Sequence, residues 1–223
     1  VFLPGERDIR ETADLLAGRR LPGTVVIPLL ASLPAGEQQR AFRTLPGVRR
    51  IILATNVAET SVTIPGIRTV IDSGLARVPR WNPRTRVQRL QVEAVSQASA
   101  NQRAGRCGRV GPGLCIRLYD AEDFAARPPY TDPEIVRSSL AGVILAMLDL
   151  RLGDIAAFPF LDPPPPSAIR DGLRELVELG AVTHDDDGGR RAPRTRLTPL
   201  GVRLARLPLE PRFSCFLFAA DAE

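Results

Sequence analysis

Apolar positions along the first half of the chain follow two alternating rhythms. Val25–Leu29, Arg50–Ala54 (RIILA), Thr69–Asp72 (TVID) and Leu114–Leu118 (LCIRL) are short, largely apolar runs with the length of buried strands. Between them lie helical spacings. Ile9, Ala13 and Leu16 share one side of Glu6–Ala17, which Gly18 closes, and Pro34–Phe42 carries a proline in its first turn. The polar segment Ser99–Arg109 is also read as a helix, and Val1–Leu3 as a short apolar stub. Strands separated by helices predict a parallel sheet with right-handed crossovers and helices on both faces. Such sheets bind ligands beyond the carboxyl ends of their strands. The loops after Ala54, after Asp72 and before Gln102 are therefore the informative ones.

The rhythm changes between Gly74 and Ser96. Arg77–Arg80, the turn residues Asn82-Pro83-Arg84-Thr85, and then Val87, Leu90 and Val92 predict a two-stranded excursion, about residues 77–95, with Trp81 and several arginines at its tip. Past Asp120, proline-rich segments punctuate helices. Glu134–Leu150 places Ile135, Leu140, Val143, Ile144 and Met147 on one side. Ser167–Leu179 is expected to be capped by Ser167 and stopped by Gly180, followed by a charged loop over Asp185–Arg196 and a final helix entered at Leu197–Gly201. Helices followed by a hairpin of this size predict a small winged-helix unit.

Composition narrows the function. Apolar residues make up 44% of 223 residues, enough for a packed core, and no apolar run approaches the roughly 20 residues that cross a bilayer. Cys107, Cys115, Cys215 and His184 are too few and too scattered for a zinc site, and an odd cysteine count argues against a disulfide framework. A reducing cytoplasm is the expected location. The chain begins with Val1 and ends in a helix without a following partner, and so reads as a piece of something longer. Net charge is +5, yet Arg77–Arg109 alone holds eight arginines against one acid, Glu93. Concentrated arginine suggests a phosphate-rich partner, although a solvated face is the plainer alternative. All thirty basic residues are arginine, so a G-x-x-x-x-G-K-[ST] phosphate loop is impossible in this chain.

Asn101–Arg109 (NQRAGRCGR) is the segment richest in chemistry. Gln102, with arginines four and seven residues later at Arg106 and Arg109, would fall on one helical face. Three convergent donors, two of them permanently charged, suit a transferring phosphoryl group. An arginine-rich surface helix is the alternative. Two internal glycines, each costing about 0.5–1 kcal/mol in a helix, count against it.

QRAGRCGR after SQASAN resembles motif VI of the DEAH-box group of superfamily 2 helicases. ATNVAETSVTIPGI (Ala54–Ile67) with VIDSG (Val70–Gly74) is similar to motif V, VFLPGERDI to the motif IV region, and LLASLPAGEQQRAF (Leu29–Phe42) to the segment between them. The likeness continues through NPRTRVQRL, GPGLCIRLY, TDPEI and LTPLGVRLA, and is nearest to the bacterial HrpA-type branch.

This resemblance implies an α/β, RecA-like second motor domain over residues 1–124, a winged-helix domain over 125–201, and the start of a helical, ratchet-like bundle at 202–223. It implies that Gln102, Arg106 and Arg109 reach the γ-phosphate of an ATP held, with Mg2+, mainly by a first RecA-like domain of the same polypeptide. Phe42 would stack on adenine, Ser61 would sense the γ-phosphate, and Thr63 would lie near the nucleotide. Thr55, Asn56 and Ser32 would hold the backbone of single-stranded RNA, with DNA as the alternative, and Arg80, Trp81, Arg84 and Arg86 of the hairpin would lie against the strand. Plainer roles stay open: packing for Phe42 and Trp81, and turn hydroxyls or amides for Ser61, Thr63 and Asn56. Pro65 departs from the aspartate that many eukaryotic members carry before the motif V glycine, so no ribose contact is assigned there. The implied protein is a monomeric helicase without membrane association, and this chain alone would not hydrolyse ATP. The rival readings are a non-catalytic nucleic-acid-binding module and a docking platform for activators.

Overall fold

The computed structural model describes the chain except for residues 61–62, 83–84, 110, 186–193 and 221–223. Two compact units divide it: residues 1–78 with 90–131, and residues 79–89 with 132–223. Ser61 and Arg84, and most of the charged loop expected over Asp185–Arg196, lie outside the described residues.

The first unit runs α1 (Glu6–Gly18), β1 (Thr24–Leu29), α2 (Ala35–Gln39) with a 3-10 turn at Arg40–Phe42, β2 (Arg49–Ala54), α3 (Val57–Thr60) and β3 (Thr69–Asp72). The hairpin strands β4 (Leu75–Asn82) and β5 (Val87–Ala94) follow, then α4 (Gln97–Ala104), β6 (Leu114–Arg117) and α5 (Ala121–Ala126). The hairpin stem belongs to this unit and its tip, 79–89, to the other.

β1 and β2 pair in parallel from Thr24↔Arg49 to Leu29↔Ala54, and β3 and β6 from Thr69↔Leu114 to Asp72↔Arg117. Phe2 bridges both Ala54 and Asp72. Its amide donates to the Ile71 carbonyl at 2.8 Å, and the Leu3 amide donates to the Ala54 carbonyl at 2.9 Å. The apolar stub is thus the central link of one parallel sheet, ordered β1-β2-stub-β3-β6. Side chains alternate between the faces, as a period of two requires. Ile27, Leu29, Ile52, Ala54 and Val70 enter one buried cluster with Phe2 and Cys107. Leu53 packs on the opposite face with Leu30 and Ile9 of α1. Clusters cover both faces of the central strands, which is why these read as continuous apolar runs, whereas β6 at the edge leaves Leu114 and Ile116 exposed.

The second unit holds α6 (Glu134–Arg137), α7 (Ala141–Asp149), α8 (Pro166–Glu178), the antiparallel pair β7 (Val182–Asp185) and β8 (Arg194–Leu197), α9 (Pro199–Ala205) and α10 (Pro211–Ala220). Leu140, Ile144, Leu145, Leu176 and Leu204 form its core. The single helix expected over Glu134–Leu150 is broken. Ser138 is extended (φ −113°, ψ 165°), and the Ser139 hydroxyl accepts from the Ala141 amide at 3.3 Å, restarting the helix. Ser167 is not the cap of α8. That helix starts one residue earlier, at Pro166, whose fixed φ suits a first turn. Gly180 ends it in the left-handed region (φ 65°), as expected. Among the described residues no helix is long and apolar enough to cross a membrane.

Candidate functional site

The loops beyond β2 and β3 and the segment after α4 converge at one end of the sheet. α4 begins where the Ser96 hydroxyl accepts from the Ser99 amide, and it ends at Ala104 with Gly105 as its C-cap. Helix was expected to run on to Arg109, placing Gln102, Arg106 and Arg109 in one helical row. That expectation is corrected. Gln102 alone is helical, while Arg106 and Arg109 lie in the turns that follow. Glycines at 105 and 108 lower the helix's hold on the backbone, and three-residue turns (Arg106 N to Arg103 O at 3.0 Å, Cys107 N to Ala104 O at 3.3 Å) take over.

The arginines still converge on the loop after β2. Arg106 Nη2 donates to the backbone carbonyl of Glu59, and Arg109 Nη1 donates to the hydroxyl of Thr63. Both arginines line a cavity of about 860 Å³ together with Thr44, Arg50, Ile64 and Gly66. Burial, and then the charge of neighbouring Arg109, push the Arg106 guanidinium below its usual pKa, while Glu59 opposes the shift. Two cations that disfavour one another form an arrangement that a bound anion relieves. Gln102 is exposed.

Beneath them lies a buried ionic network. Arg103 is fully buried. Its Nε donates to Glu59 Oε2 at 3.0 Å, and its Nη1 donates to Asp72 Oδ1 at 2.7 Å and to the Leu75 carbonyl at 3.2 Å. Its guanidinium carbon sits 4.9 Å from the centre of the Phe2 ring. The Ser99 hydroxyl donates to the other oxygen of Glu59 at 2.6 Å. Asp72, also fully buried, further accepts from the Gly74 amide at 2.9 Å and the Tyr119 hydroxyl at 3.0 Å. Burial and then Asp72 push the Tyr119 hydroxyl up to about 12. Gly74 takes φ 74°, and a Cβ there would meet the Tyr119 ring at 2.5 Å, so glycine is required twice over. Arg103, Glu59 and Ser99 were not singled out from sequence. The available signal was Asp72, an acid inside an apolar strand, which demands a buried partner.

The remaining predicted residues take mixed positions. Phe42 is half-buried and packs against the core below the sheet. Thr63 is brought to Arg109, as above. Thr55 and Asn56 stand at the carboxyl end of β2, where their carbonyls accept from the Ala58 and Glu59 amides and so start α3. Ser32 is exposed and donates to Glu6 Oε2 at 3.3 Å. In the second unit, Arg80 Nη1 pairs with Asp132 at 2.9 Å, and Arg86 grips both oxygens of Glu178. Arg80, Trp81 and Arg86 line a cavity of about 290 Å³ with Arg137, Ser139 and Glu175.

The profile of the helicase conserved C-terminal domain matches residues 1–111. The chain is 55% identical over 221 residues to the ATP-dependent RNA helicase HrpA of Escherichia coli, covering 99% of this chain and 17% of that protein. It is 40% identical over 221 residues to the mouse ATP-dependent RNA helicase DHX33, covering 96% of this chain and 31% of that protein. A crystal structure of the Escherichia coli DEAH/RHA helicase HrpB superposes with a TM-score of 0.84 at 37% identity, covering 97% of this chain and 26% of that one. The chain thus spans well under a third of the length of the first two bacterial relatives it matches, 17% of each.

Proposed function

The chain belongs to the DEAH/RHA helicases, and from that membership we propose that it is the second motor half of an ATP-dependent RNA helicase. One observation carries the reading: Arg106 and Arg109 reach from the end of α4 to the loop after β2 and together line one cavity. In this reading both are arginine fingers, and with Gln102 they meet the γ-phosphate of an ATP seated on a first motor domain. Ser61 and Thr63 approach the same nucleotide, and Phe42 stacks on its base. Guanidinium groups suit the task because they stay charged at any physiological pH and present planar forks to phosphoryl oxygens. In this reading the magnesium that accompanies ATP is held mainly by the first motor domain.

ATP bridging the two domains closes the cleft, and loss of the γ-phosphate opens it. Thr55, Asn56 and Ser32, beyond the strand ends, then carry the RNA backbone forward, and the hairpin tip with Arg80, Trp81, Arg84 and Arg86 lies against the strand. Arg106→Ala in the intact polypeptide is expected to lower ATP turnover by roughly 10³-fold or more while leaving RNA affinity within about threefold, since a finger contacts only the nucleotide. Unaltered turnover would remove the finger assignment. The chain by itself contains no lysine for a phosphate loop, so no turnover is expected from it.

A further inference from the structure

α3 is a single turn, Val57–Thr60, too short to hold its own shape in water. Its fixed point is Glu59. One carboxylate oxygen is held by the Ser99 hydroxyl at 2.6 Å and the other by Arg103 Nε at 3.0 Å, both from α4. Arg103 is itself anchored on buried Asp72 at 2.7 Å, at the carboxyl end of β3. The same Glu59 offers its backbone carbonyl to Arg106 Nη2. Side chain and main chain of one residue thus face two parts of one segment: the carboxylate is gripped by the helix, and the carbonyl grips the guanidinium just beyond the helix end.

We propose that Glu59 is a positioning residue for Arg106, and that Ser99 and Arg103 act through it. The proposal rests on the reading of Arg106 as a finger. Holding the carboxylate sets the turn of α3, the turn sets the direction of the Glu59 carbonyl, and the carbonyl sets one Nη of Arg106. The guanidinium is then aimed before any nucleotide arrives, with little orientation left to fix in the transition state. Placing the carboxylate between a hydroxyl and a buried guanidinium also keeps it off Arg106 itself. A carboxylate paired with the finger would compete with phosphate, whereas a neutral carbonyl orients the finger without cancelling its charge.

The test is steady-state ATP hydrolysis by the intact polypeptide, with melting temperature and RNA affinity measured on every variant. Glu59→Ala is expected to lower kcat by roughly 10- to 100-fold, the scale of a misplacement near 1 Å, with KM for ATP and RNA affinity within about threefold. Glu59→Gln, which keeps an oxygen for one of the two donors, should recover part of the loss. Ser99→Ala leaves the Arg103 ion pairs intact and guards against a folding failure; it should lower kcat several-fold at an unchanged melting temperature. Folded variants with wild-type kcat would overturn the proposal, as would losses that track melting temperature or fall wholly on KM. Arg106→Ala, run alongside, separates the two ideas. If it leaves turnover intact, the finger reading fails; if it abolishes turnover while folded Glu59 and Ser99 variants stay at wild-type kcat, only the positioning role fails.

Discussion

Replacing Arg103 by methionine should strongly destabilise the first unit. The side chain is fully buried and makes three charge-assisted hydrogen bonds, to Glu59, Asp72 and the Leu75 carbonyl. Methionine keeps most of the apolar volume, so the packing cost stays below about 1.5 kcal/mol. The larger cost is the orphaned carboxylate of Asp72, which is fully buried and would retain only the Tyr119 hydroxyl and the Gly74 amide. Breaking such a pair by removing one partner costs about 3–5 kcal/mol, a large part of the roughly 5–15 kcal/mol that holds a domain folded. Urea unfolding followed by far-ultraviolet circular dichroism reads the effect. Trp81, the chain's one tryptophan, belongs to the second unit and is the wrong probe. The double variant Arg103→Met with Asp72→Asn should be more stable than the single variant, because the stranded charge is gone. A loss below about 1 kcal/mol, or a double variant no better than the single, would refute the claim that ion pairing in this network governs the stability of the site.

Two further outcomes follow from named contacts. Tyr119 is raised from 10.0 to about 12 in the folded chain, so its contribution to stability is fully present below pH 10 and is lost as pH climbs through 12. Urea midpoints at pH 9, 10 and 11 should fall more steeply for the wild type than for Tyr119→Phe, and parallel declines would contradict the assignment. Arg86 and Glu178 are partly exposed partners, so Arg86→Ala should lower the urea midpoint only slightly, and 1 M salt should erase the difference. A large, salt-independent loss would mean that Arg86 acts through packing of its stem instead.

The parallel sheet was legible because strands buried on both faces must be apolar throughout, and β1, β2 and β3 fall where such runs lie; β6 is an apolar run as well, though Leu114 and Ile116 are exposed. Helix ends were harder to read. Gln102, Arg106 and Arg109 keep helical spacing in sequence, yet Gly105 and Gly108 release the backbone between them, and periodicity does not register that cost. In Glu134–Leu150 the apolar stripe was genuine, but the backbone is extended at Ser138 and the Ser139 hydroxyl takes the Ala141 amide, so the helix breaks between α6 and α7. Arginine counting misled in a different way. Counting charges places Arg103 among eight arginines suited to phosphate, yet it is spent on buried carboxylates. Local composition reports charge; only the fold reports which acid each arginine meets.

The three residues that begin the chain have a mechanical meaning. β1 with β2, and β3 with β6, meet nowhere in the ladder except across Phe2 and its neighbours. Tension applied to this splint would reach the strands on either side at once, and would shear hydrogen bonds on both instead of peeling an edge strand from the sheet. Because β2 leads into Thr55 and Asn56 while β3 ends at Asp72, a pull there arrives at the loop that carries Glu59 and at the anchor of Arg103 together.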